Sequence, residues 1–224
     1  MTAEAAGEQL EAETSYRAAV AEGCRDDGTP DTLLALLLHS QHRRAEAVDV
    51  LRRAMQHCDA RSAGDAALHY NLALLLLEEG SNEQVLEAVV VLEQGTQLIP
   101  SDLDVKCKLG WLLFATDTDT RRGEELLLQV LRAEPGHAAA VVCISRVMQE
   151  LGGDLEKKLL PVMLEAVRCN SGSALVRREH ARLRELLDNL PAAEVEYRKA
   201  LLLDPSDAAA RVGLTRVLTN SDSH

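Results

Sequence analysis

A chain of 224 residues with 46% apolar residues can bury a continuous core, and the predominance of Leu, Ala and Val over aromatic residues (2%) favours helix over strand. The formal net charge of -12, with no basic run, excludes electrostatic attraction to nucleic acid or to anionic membrane surfaces. No apolar stretch approaches the roughly 18 residues of a membrane span, and the acidic first thirty residues contain no apolar signal region, so we expect a cytoplasmic protein without membrane insertion.

The first predicted element is a helix near Glu8–Glu22. Ala12, Tyr16 and Ala19 follow a small-x3-large-x2-small spacing, which places their side chains on one helix face. The small residues let a neighbouring helix approach closely, and the large residue fills the gap that remains. We expect residues 1–27 to form an N-terminal capping helix, because its acidic outer face suits the end of a repeat array.

The same spacing recurs along the chain and defines a set of predicted helices that we call B helices. Its further copies are Ala47-Leu51-Ala54, Ala88-Leu92-Gly95, Ala193-Tyr197-Ala200 and the looser segments Glu124–Pro135 and Leu155–Asn170. In two copies a proline, Pro100 or Pro205, follows five residues after the last small residue and ends the helix. Pro161 lies inside the weakest copy and predicts a kink or a late start of that helix.

A second pattern alternates with the first and defines predicted A helices. In it, Leu or Ile is followed by a small residue, and another apolar residue stands four positions after the first, which is a helical period. The pairs are Leu34-Ala35, Leu72-Ala73, Leu109-Gly110, Ile144-Ser145 and Leu214-Thr215. The alternation predicts turns between A and B helices at residues 39–43, 79–82, 116–120, 152–154 and 188–190.

This order of elements predicts the organisation of the whole chain. Five full hairpins are expected, at about 28–60, 66–102, 103–137, 138–172 and 174–207. A C-terminal capping helix with a short tail follows over residues 208–224, and Arg211 and Arg216 give it a polar character.

These patterns resemble the tetratricopeptide repeat (TPR) family over roughly residues 8–218. The resemblance is carried by NLALLLLEEG at Asn71–Gly80, KLGWLLFAT at Lys108–Thr116 and AEVEYRKALLLDP at Ala193–Pro205. The chain departs from the family where Leu replaces most of its aromatic residues and where His180 replaces the Leu of the A pattern. The resemblance implies an all-α fold, a right-handed α-solenoid of TPR-like helical hairpins, and a role in protein–protein interaction.

The sequence contains no motif for a catalytic nucleophile, a nucleotide or a metal. We therefore predict that the protein is not an enzyme and has no catalytic residue, cofactor or metal site. Histidines in the first two hairpins leave a metal site as a minor alternative to polar surface residues. The five cysteines, Cys24, Cys58, Cys107, Cys143 and Cys169, are widely spaced and are expected to be reduced thiols.

In the family the A helices line a concave groove, so the resemblance implies that residues two before, two after and five after the A-helix Leu face the groove. Three of the five aromatic residues in the chain map to these positions, together with several arginines that could hold carboxylates. The predicted groove residues, with the adjoining asparagine, are Tyr70, Asn71, Leu74, Trp111, Phe114, Arg146, Arg178 and Arg182. Core packing of the aromatic residues and solvation of the arginines remain the alternatives.

The leading functional prediction is a scaffold or adaptor that binds a partner peptide or helix in this groove. A permanent structural subunit that uses its convex face and ends is the second alternative, and a regulatory part of an enzyme complex is the third. A co-chaperone clamp for acidic C-terminal tails is also considered, because Asn71 and Lys108 match its pattern. The preceding hairpin, however, carries Thr32 and Leu36 where that clamp needs Lys and Asn.

Overall fold

The computed structural model describes residues 3–21, 29–56, 63–151 and 155–221, which form twelve α-helices and no β-strand. The helices are α1 Ala3–Ala21, α2 Thr29–Ser40, α3 Arg44–Met55, α4 Ala63–Glu79, α5 Asn82–Leu98, α6 Leu103–Ala115, α7 Thr120–Ala133, α8 Ala138–Leu151, α9 Leu155–Cys169, α10 Ala174–Leu186, α11 Leu190–Leu203 and α12 Ala208–Ser221. The all-α prediction is confirmed. The even-numbered helices carry the A pattern and the odd-numbered helices carry the B pattern.

The chain divides into two compact units, residues 1–109 and 110–224, and the division falls within α6. In unit 1, helices adjacent in sequence pack together from α1 to α5, and α2 also contacts α4. In unit 2, the same neighbour packing runs from α7 to α12, and the A helices α8, α10 and α12 contact one another in order. Each unit is therefore a stack of helical hairpins.

The predicted turns between A and B helices coincide with helix ends in four of five cases. Each of these turns contains one residue in the left-handed region, which reverses the chain after the A helix. These residues are His42 (φ 61°), Gly80 (φ 67°), Asp117 (φ 52°) and Asp188 (φ 56°). The fifth predicted turn, 152–154, lies outside the described residues, as do Cys24, Cys58 and His57.

The N-termini of the later A helices are capped by a side chain that accepts a backbone N–H three residues on. Asp102 accepts from Val105 at 2.9 Å in α6, and Asp207 accepts from Ala210 at 2.9 Å in α12. Ser173 caps α10 in the same way. At α8 the cap is Nδ1 of His137, which accepts from Ala140 at 3.3 Å. These caps satisfy backbone donors that the first helical turn leaves without a partner.

The small residues of the two patterns bring helices into close contact, as predicted. A Cβ atom added at Gly123 of α7 would lie 2.6 Å from the carbonyl oxygen of Gly110 in α6. Gly123 begins a copy of the B pattern, since Leu127, Val130 and Pro135 follow at the expected spacing, and the looser segment predicted as Glu124–Pro135 starts one residue later. The backbones of α6 and α7 can approach this closely only because both positions lack a side chain.

Unit 2 ends in a cluster that is built around Tyr197 of α11. Tyr197 is 2% exposed and packs with Ala181, Ala193 and Ala210. A Cβ atom added at Gly213 of α12 would lie 2.3 Å from the Cζ atom of this ring. The bulk of the tyrosine therefore occupies space that the glycine leaves open, which lets α12 lie against α11.

The expectation of a late start at Pro161 is wrong, because α9 begins at Leu155 and contains the proline. The first helical turn tolerates proline because its N–H groups have no partner, but Pro161 lies beyond that turn. The alternative, a kink at Pro161, stays a prediction. Among the described helices, none has both the length and the apolar composition that a membrane span requires.

Candidate partner-binding site

The residues predicted to line a groove occupy equivalent positions on successive A helices. Counting from the first residue of the apolar-small pair, the plus-two residues are Leu36, Leu74, Trp111, Arg146, Arg182 and Arg216. Together with their neighbours at the minus-two and plus-five positions they form what we call the A-helix face of each unit. The side chains on this face differ between the units.

The A-helix face of unit 1 is apolar. Leu36 is 46% exposed, and Leu74 and Tyr70 are partly buried. Burial raises the pKa of the Tyr70 hydroxyl, and the nearby Asp104 carboxylate raises it further, so this phenol is neutral at physiological pH. Asn71 donates its side-chain amide to the carbonyl oxygen of Ala67 at 2.8 Å, within its own helix.

The A-helix face of unit 2 begins with an aromatic pair on α6. The ring centroids of Trp111 and Phe114 are 5.7 Å apart with an interplanar angle of 43°, which is a favourable tilted arrangement. Phe114 is 8% exposed and Trp111 is partly exposed. Phe114, predicted as a groove residue, is therefore buried, and it supports the Trp111 ring.

Arg146 of α8 lies next to this aromatic pair. Its guanidinium carbon is 5.8 Å from the centroid of the Trp111 ring, which is within the range of a cation–π contact. The arginine is otherwise exposed, and among the described residues no carboxylate lies within ion-pair distance of it. The contact holds a positive charge beside the exposed part of the tryptophan.

Arg182 of α10 is the next arginine along this face. Its Nη2 atom donates to Oε1 of Gln149 in α8 at 2.7 Å. Gln149 is a neutral partner that orients the guanidinium, and the charge of the nearby Glu185 carboxylate acts on Arg182 without a direct ion pair. Within the part of unit 2 that the structure describes, Arg182 has no ion pair.

Arg216 of α12 repeats this arrangement with a charged partner. Its guanidinium donates two hydrogen bonds to Glu185 of α10, one of them to Oε2 at 2.7 Å. The hydroxyl of Tyr197 donates to the same oxygen at 3.0 Å. Burial alone would raise the pKa of the Glu185 carboxyl, but the hydrogen bonds from Arg216 and Tyr197 lower it below its usual range.

The contacts of Arg182 and Arg216 follow the same pattern. Gln149 and Glu185 stand at the plus-five positions of α8 and α10, and each accepts a hydrogen bond from the plus-two arginine of the next A helix. Arg216 was not among the predicted groove residues, although it lies two residues after Leu214, where the same counting finds it. A cavity of about 510 Å³ opens here, and it is lined by Gln149, Arg182, Glu185, Leu186, Asp188, Leu190, Arg216 and Asn220.

Arg178, also predicted to bind a partner, is held by acids of its own unit. It donates to Oδ2 of Asp207 at 2.9 Å and to Oε1 of Glu179 at 3.1 Å. Burial alone would lower the pKa of this guanidinium, but the charges of Glu179 and Asp207 raise it. Arg178 therefore fastens the start of α12 to α10 and offers little to a ligand.

The described residues contain no cluster of three His, Cys, Asp or Glu side chains arranged to hold a metal ion. The three cysteines within the described ranges, Cys107, Cys143 and Cys169, form no disulfide. The side chains of the A-helix faces thus offer hydrogen bonds, charges and apolar contacts.

No protein-family model matches the sequence, and no curated protein matches it. Among solved structures it is similar to YrrB, described as a TPR protein with an unusual peptide-binding site, at 17% identity over 87% of this chain and 95% of that chain, with a TM-score of 0.59. It is similar to TTC0263, a thermophilic TPR protein of Thermus thermophilus, at 23% identity over 86% and 99% of the two chains, with a TM-score of 0.56.

The chain is also similar to a chain of the APC/C hetero-tetramer Cut9-Hcn1, at 14% identity and a TM-score of 0.64. This match covers 95% of the present chain and 40% of the other. At such identities the likeness concerns the fold, and the prediction of helical hairpins is confirmed at that level. The chain therefore has the all-α helical-hairpin fold of TPR proteins.

Proposed function

We propose that the chain is a non-enzymatic scaffold or adaptor, and that it binds an acidic peptide or helix of a partner protein along the A-helix face of unit 2. One observation carries this proposal. Arg146 and Arg182 stand at plus-two positions of successive A helices, and among the described residues neither forms a direct ion pair with a carboxylate: Arg146 contacts the Trp111 ring and Arg182 donates to Gln149. A guanidinium binds a carboxylate through two parallel hydrogen bonds, so these two arginines suit acids spaced along a partner segment.

Two other arginines of unit 2 differ from Arg146 and Arg182 because they already form ion pairs with carboxylates. Arg178 is paired with Asp207 and Glu179, and Arg216 is paired with Glu185. These pairs hold helices together inside the unit. Arg146 and Arg182 are the members of the set that the proposal assigns to the partner.

Trp111 is proposed as the apolar anchor of the same segment. Buried aromatic residues dominate interface energetics, and a ring fixed by Phe114 loses little conformational freedom on binding. The cavity beside Arg182 has room for a partner side chain. In unit 1, Tyr70 and Leu74 are proposed to contact apolar residues of a partner. This proposal is independent of the one for unit 2.

No clamp for acidic tails is proposed in unit 1. The amide of Asn71 donates to its own helix, and Thr32 is buried where such a clamp needs a lysine. The prediction for Arg178 as a partner ligand stays a prediction, with its present ion pairs as the competing interaction.

A permanent structural subunit is the second candidate, and exposed apolar residues outside the A-helix faces favour it. Leu202 of α11 is 82% exposed, and Val195 of the same helix is also exposed. Co-purification with fixed partners at constant stoichiometry supports this candidate over the first. In either case we propose a cytoplasmic location, in which cysteines that form no disulfide would remain reduced.

The first candidate is tested by affinity capture from cells followed by mass spectrometry, with Trp111→Ala and the double variant Arg146→Gln/Arg182→Gln. Trp111→Ala should abolish capture, since truncation of an aromatic hot spot costs about 2–4 kcal/mol of binding. The double variant should weaken capture mainly at low ionic strength, because exposed ion pairs contribute only about 0.2–1 kcal/mol each. Arg198→Gln, an exposed arginine of α11, is the matched control.

Fluorescence provides an independent measurement, because Trp111 is the only tryptophan of the chain. Its emission should be red-shifted, quenched by iodide and protected when a captured peptide is added. Protected, blue-shifted emission from the free protein, with a strong drop in melting temperature for Trp111→Ala, would contradict the anchor role. Such a result would favour the permanent subunit instead.

A further inference from the structure

The cavity of about 510 Å³ beside Arg182 lies where several helices of unit 2 end. Gln149, Leu186 and Asn220 line it from the last turns of α8, α10 and α12. Leu190 lines it from the first residue of α11. Among these helix ends the C-termini outnumber the N-terminus, so the backbone dipoles give this edge of the A-helix face a negative partial charge.

Four charged side chains line the cavity, and two of them are paired with each other. Arg216 donates two hydrogen bonds to Glu185, whose Oε2 atom also accepts from the hydroxyl of Tyr197. This pair adds no net charge to the cavity, and it joins α12 to α10. The charged groups that remain for a ligand are Arg182 and Asp188.

Arg182 and Asp188 supply opposite charges to the cavity. The Nη2 atom of Arg182 donates to Gln149, and within the described residues of unit 2 its Nε and Nη1 atoms donate to no other side chain. Asp188 follows the end of α10 at φ 56° and is exposed. Among the described residues its carboxylate accepts no hydrogen bond and forms no ion pair. The cavity therefore offers a cation and an anion, and neither is held in an ion pair.

The combination of side chains in the cavity decides which occupant fits. Leu186, which is 47% exposed, and Leu190 add an apolar surface. An occupant with only negative charge, such as a phosphate, would face the carboxylates of Glu185 and Asp188. A wholly apolar occupant would remove water from Arg182 and Asp188 without replacing their hydrogen bonds. A peptide segment with an acid, a base and an apolar residue satisfies all of these groups.

We propose that this cavity selects partner segments in which a lysine or arginine stands within a few residues of an acid. The acid binds to Arg182, the base binds to Asp188, and an apolar residue of the segment packs on Leu186. This inference rests on the proposed function of the A-helix face of unit 2. It adds a second chemical requirement for the partner, because an acidic segment without a base leaves the charge of Asp188 without a counterpart.

The probes are three sets of fluorescein-labelled peptides that share one acidic, leucine-containing sequence. The sets differ at a single residue, which is Lys, Gln or Glu. Arg182 and Asp188 are six positions apart, about 9 Å along a helix axis, so the varied residue stands about two to four residues before or after a glutamate. Fluorescence polarisation with the full chain measures the dissociation constants. The Lys set should bind about three- to fivefold more tightly than the Gln set, as for one partly exposed ion pair, and the Glu set should bind most weakly.

Variants of Asp188 test which group selects the base. Asp188→Asn removes the charge and keeps a residue that tolerates the left-handed backbone at this position. It should bind the Lys and Gln sets equally and retain the wild-type affinity for the Gln set. Asp188→Gly, which also suits this backbone, is the second variant. Asp117→Asn is the matched control, because Asp117 occupies the same left-handed turn position after α6 and lies outside the lining of the cavity. Circular dichroism verifies the folding of each variant.

The outcomes separate this inference from the proposed function on which it rests. If the wild type binds all three sets alike, or if Asp188→Asn keeps the preference for lysine, the cavity does not select a base and the inference is wrong. The proposed function then stands, provided that Arg146→Gln/Arg182→Gln weakens binding of all three sets. If no set binds to the wild type, the proposed function is wrong and this inference is wrong with it.

Discussion

The A-helix faces of the two units use the same positions of the A pattern but carry different side chains, which are apolar in unit 1 and mainly cationic in unit 2. In unit 1 the plus-two residues are Leu36 and Leu74, whereas in unit 2 they are Trp111 and three arginines. The charges divide in the same way, since unit 1, residues 1–109, carries 19 acids and 9 bases, while unit 2, residues 110–224, carries 17 and 15. Helix packing fixes the small and large residues of the repeat and leaves the A-helix face free to vary. An acidic partner is therefore expected to bind to unit 2.

The interior positions of the two units differ as well. At the first small positions of a hairpin, unit 1 has Ala73 and Ala88, whereas unit 2 has Gly110 and Gly123. At the A-pattern Leu position, unit 1 has Leu72, whereas unit 2 has the buried His180 in α10. Unit 2 therefore combines closer backbone contact with a buried titratable group. Predictions at Gly123 and His180 test these differences, and one further prediction compares the turns of the two units.

The largest expected effect concerns Gly123, because its neighbour is a backbone atom that cannot rotate away. Gly123→Ala places a Cβ atom 2.6 Å from the carbonyl oxygen of Gly110, so α6 and α7 must move apart. The free energy of unfolding, measured by urea denaturation, should fall by about 1–3 kcal/mol, as for other overpacked sites. Gly172→Ala is the control, since no atom lies within 4 Å of a Cβ atom there. Equal stability of the two variants would contradict the close approach.

A smaller effect is expected for His180→Leu, which gives α10 the residue of the corresponding positions in unit 1. Burial lowers the pKa of His180, and the charge of Glu196 opposes this only in part. Its Nε2 atom accepts a hydrogen bond from Arg184 at 3.1 Å, which is possible only when that nitrogen carries no proton. At pH 7 the leucine variant should be as stable as the wild type, or up to about 1 kcal/mol more stable.

The sign of the pH dependence follows from the lowered pKa of His180. Between its folded value and the unfolded value of about 6.5, the unfolded chain binds more protons. The wild type should therefore lose stability as the pH falls from about 7 toward 5, and His180→Leu should lose less. Melting temperatures over this range measure the difference, with His42→Asn as a control at an exposed turn. Parallel curves for wild type and His180→Leu would exclude a neutral buried histidine.

The smallest effect concerns the turns between A and B helices. Unit 1 has Gly80 at a left-handed position, where unit 2 has Asp117. Gly80→Ala should cost about 1 kcal/mol, because a side chain disfavours this conformation. Asp117→Gly should raise stability by no more than about 0.5 kcal/mol, since relief of strain is offset by a more flexible unfolded chain. Chemical denaturation of both variants tests the difference, and a stabilising Gly80→Ala would contradict it.

The fold could be predicted from the sequence because its determinants are local. The four described turns between A and B helices fall where two periodic patterns meet, and Gly80 and Pro205 mark such boundaries directly. Gly123 could have been found by the same spacing rule, but the sequence prediction begins that copy of the pattern one residue later, at Glu124. The late start predicted at Pro161 is wrong because α9 begins at Leu155, and this helix packs against α7, α8 and α10 although proline removes one backbone hydrogen bond.

The sequence predicted which positions belong to the candidate site, but not the contacts that the side chains make there. Counting from the A-pattern Leu selects Arg146, Arg178 and Arg182 alike, although their surroundings differ. The pairing of Arg178 with Asp207 joins residues 29 positions apart and depends on two side-chain conformations. The contact of Arg146 with Trp111 depends in the same way on where the guanidinium lies relative to the ring. Periodicity contains no information about either contact.

The carboxylate of Asp207 links α10 and α12, and this link affects how α12 can detach from the rest of unit 2. Oδ1 accepts the N–H of Ala210 at the start of α12, while Oδ2 accepts a hydrogen bond from Arg178 of α10. Terminal helices ordinarily fray with little free-energy cost. Here, detachment of α12 must break this charged contact and expose the ring of Tyr197 beside Gly213. Opening of α12 is thus coupled to α10, and amide protons of the two helices should exchange as one cooperative unit.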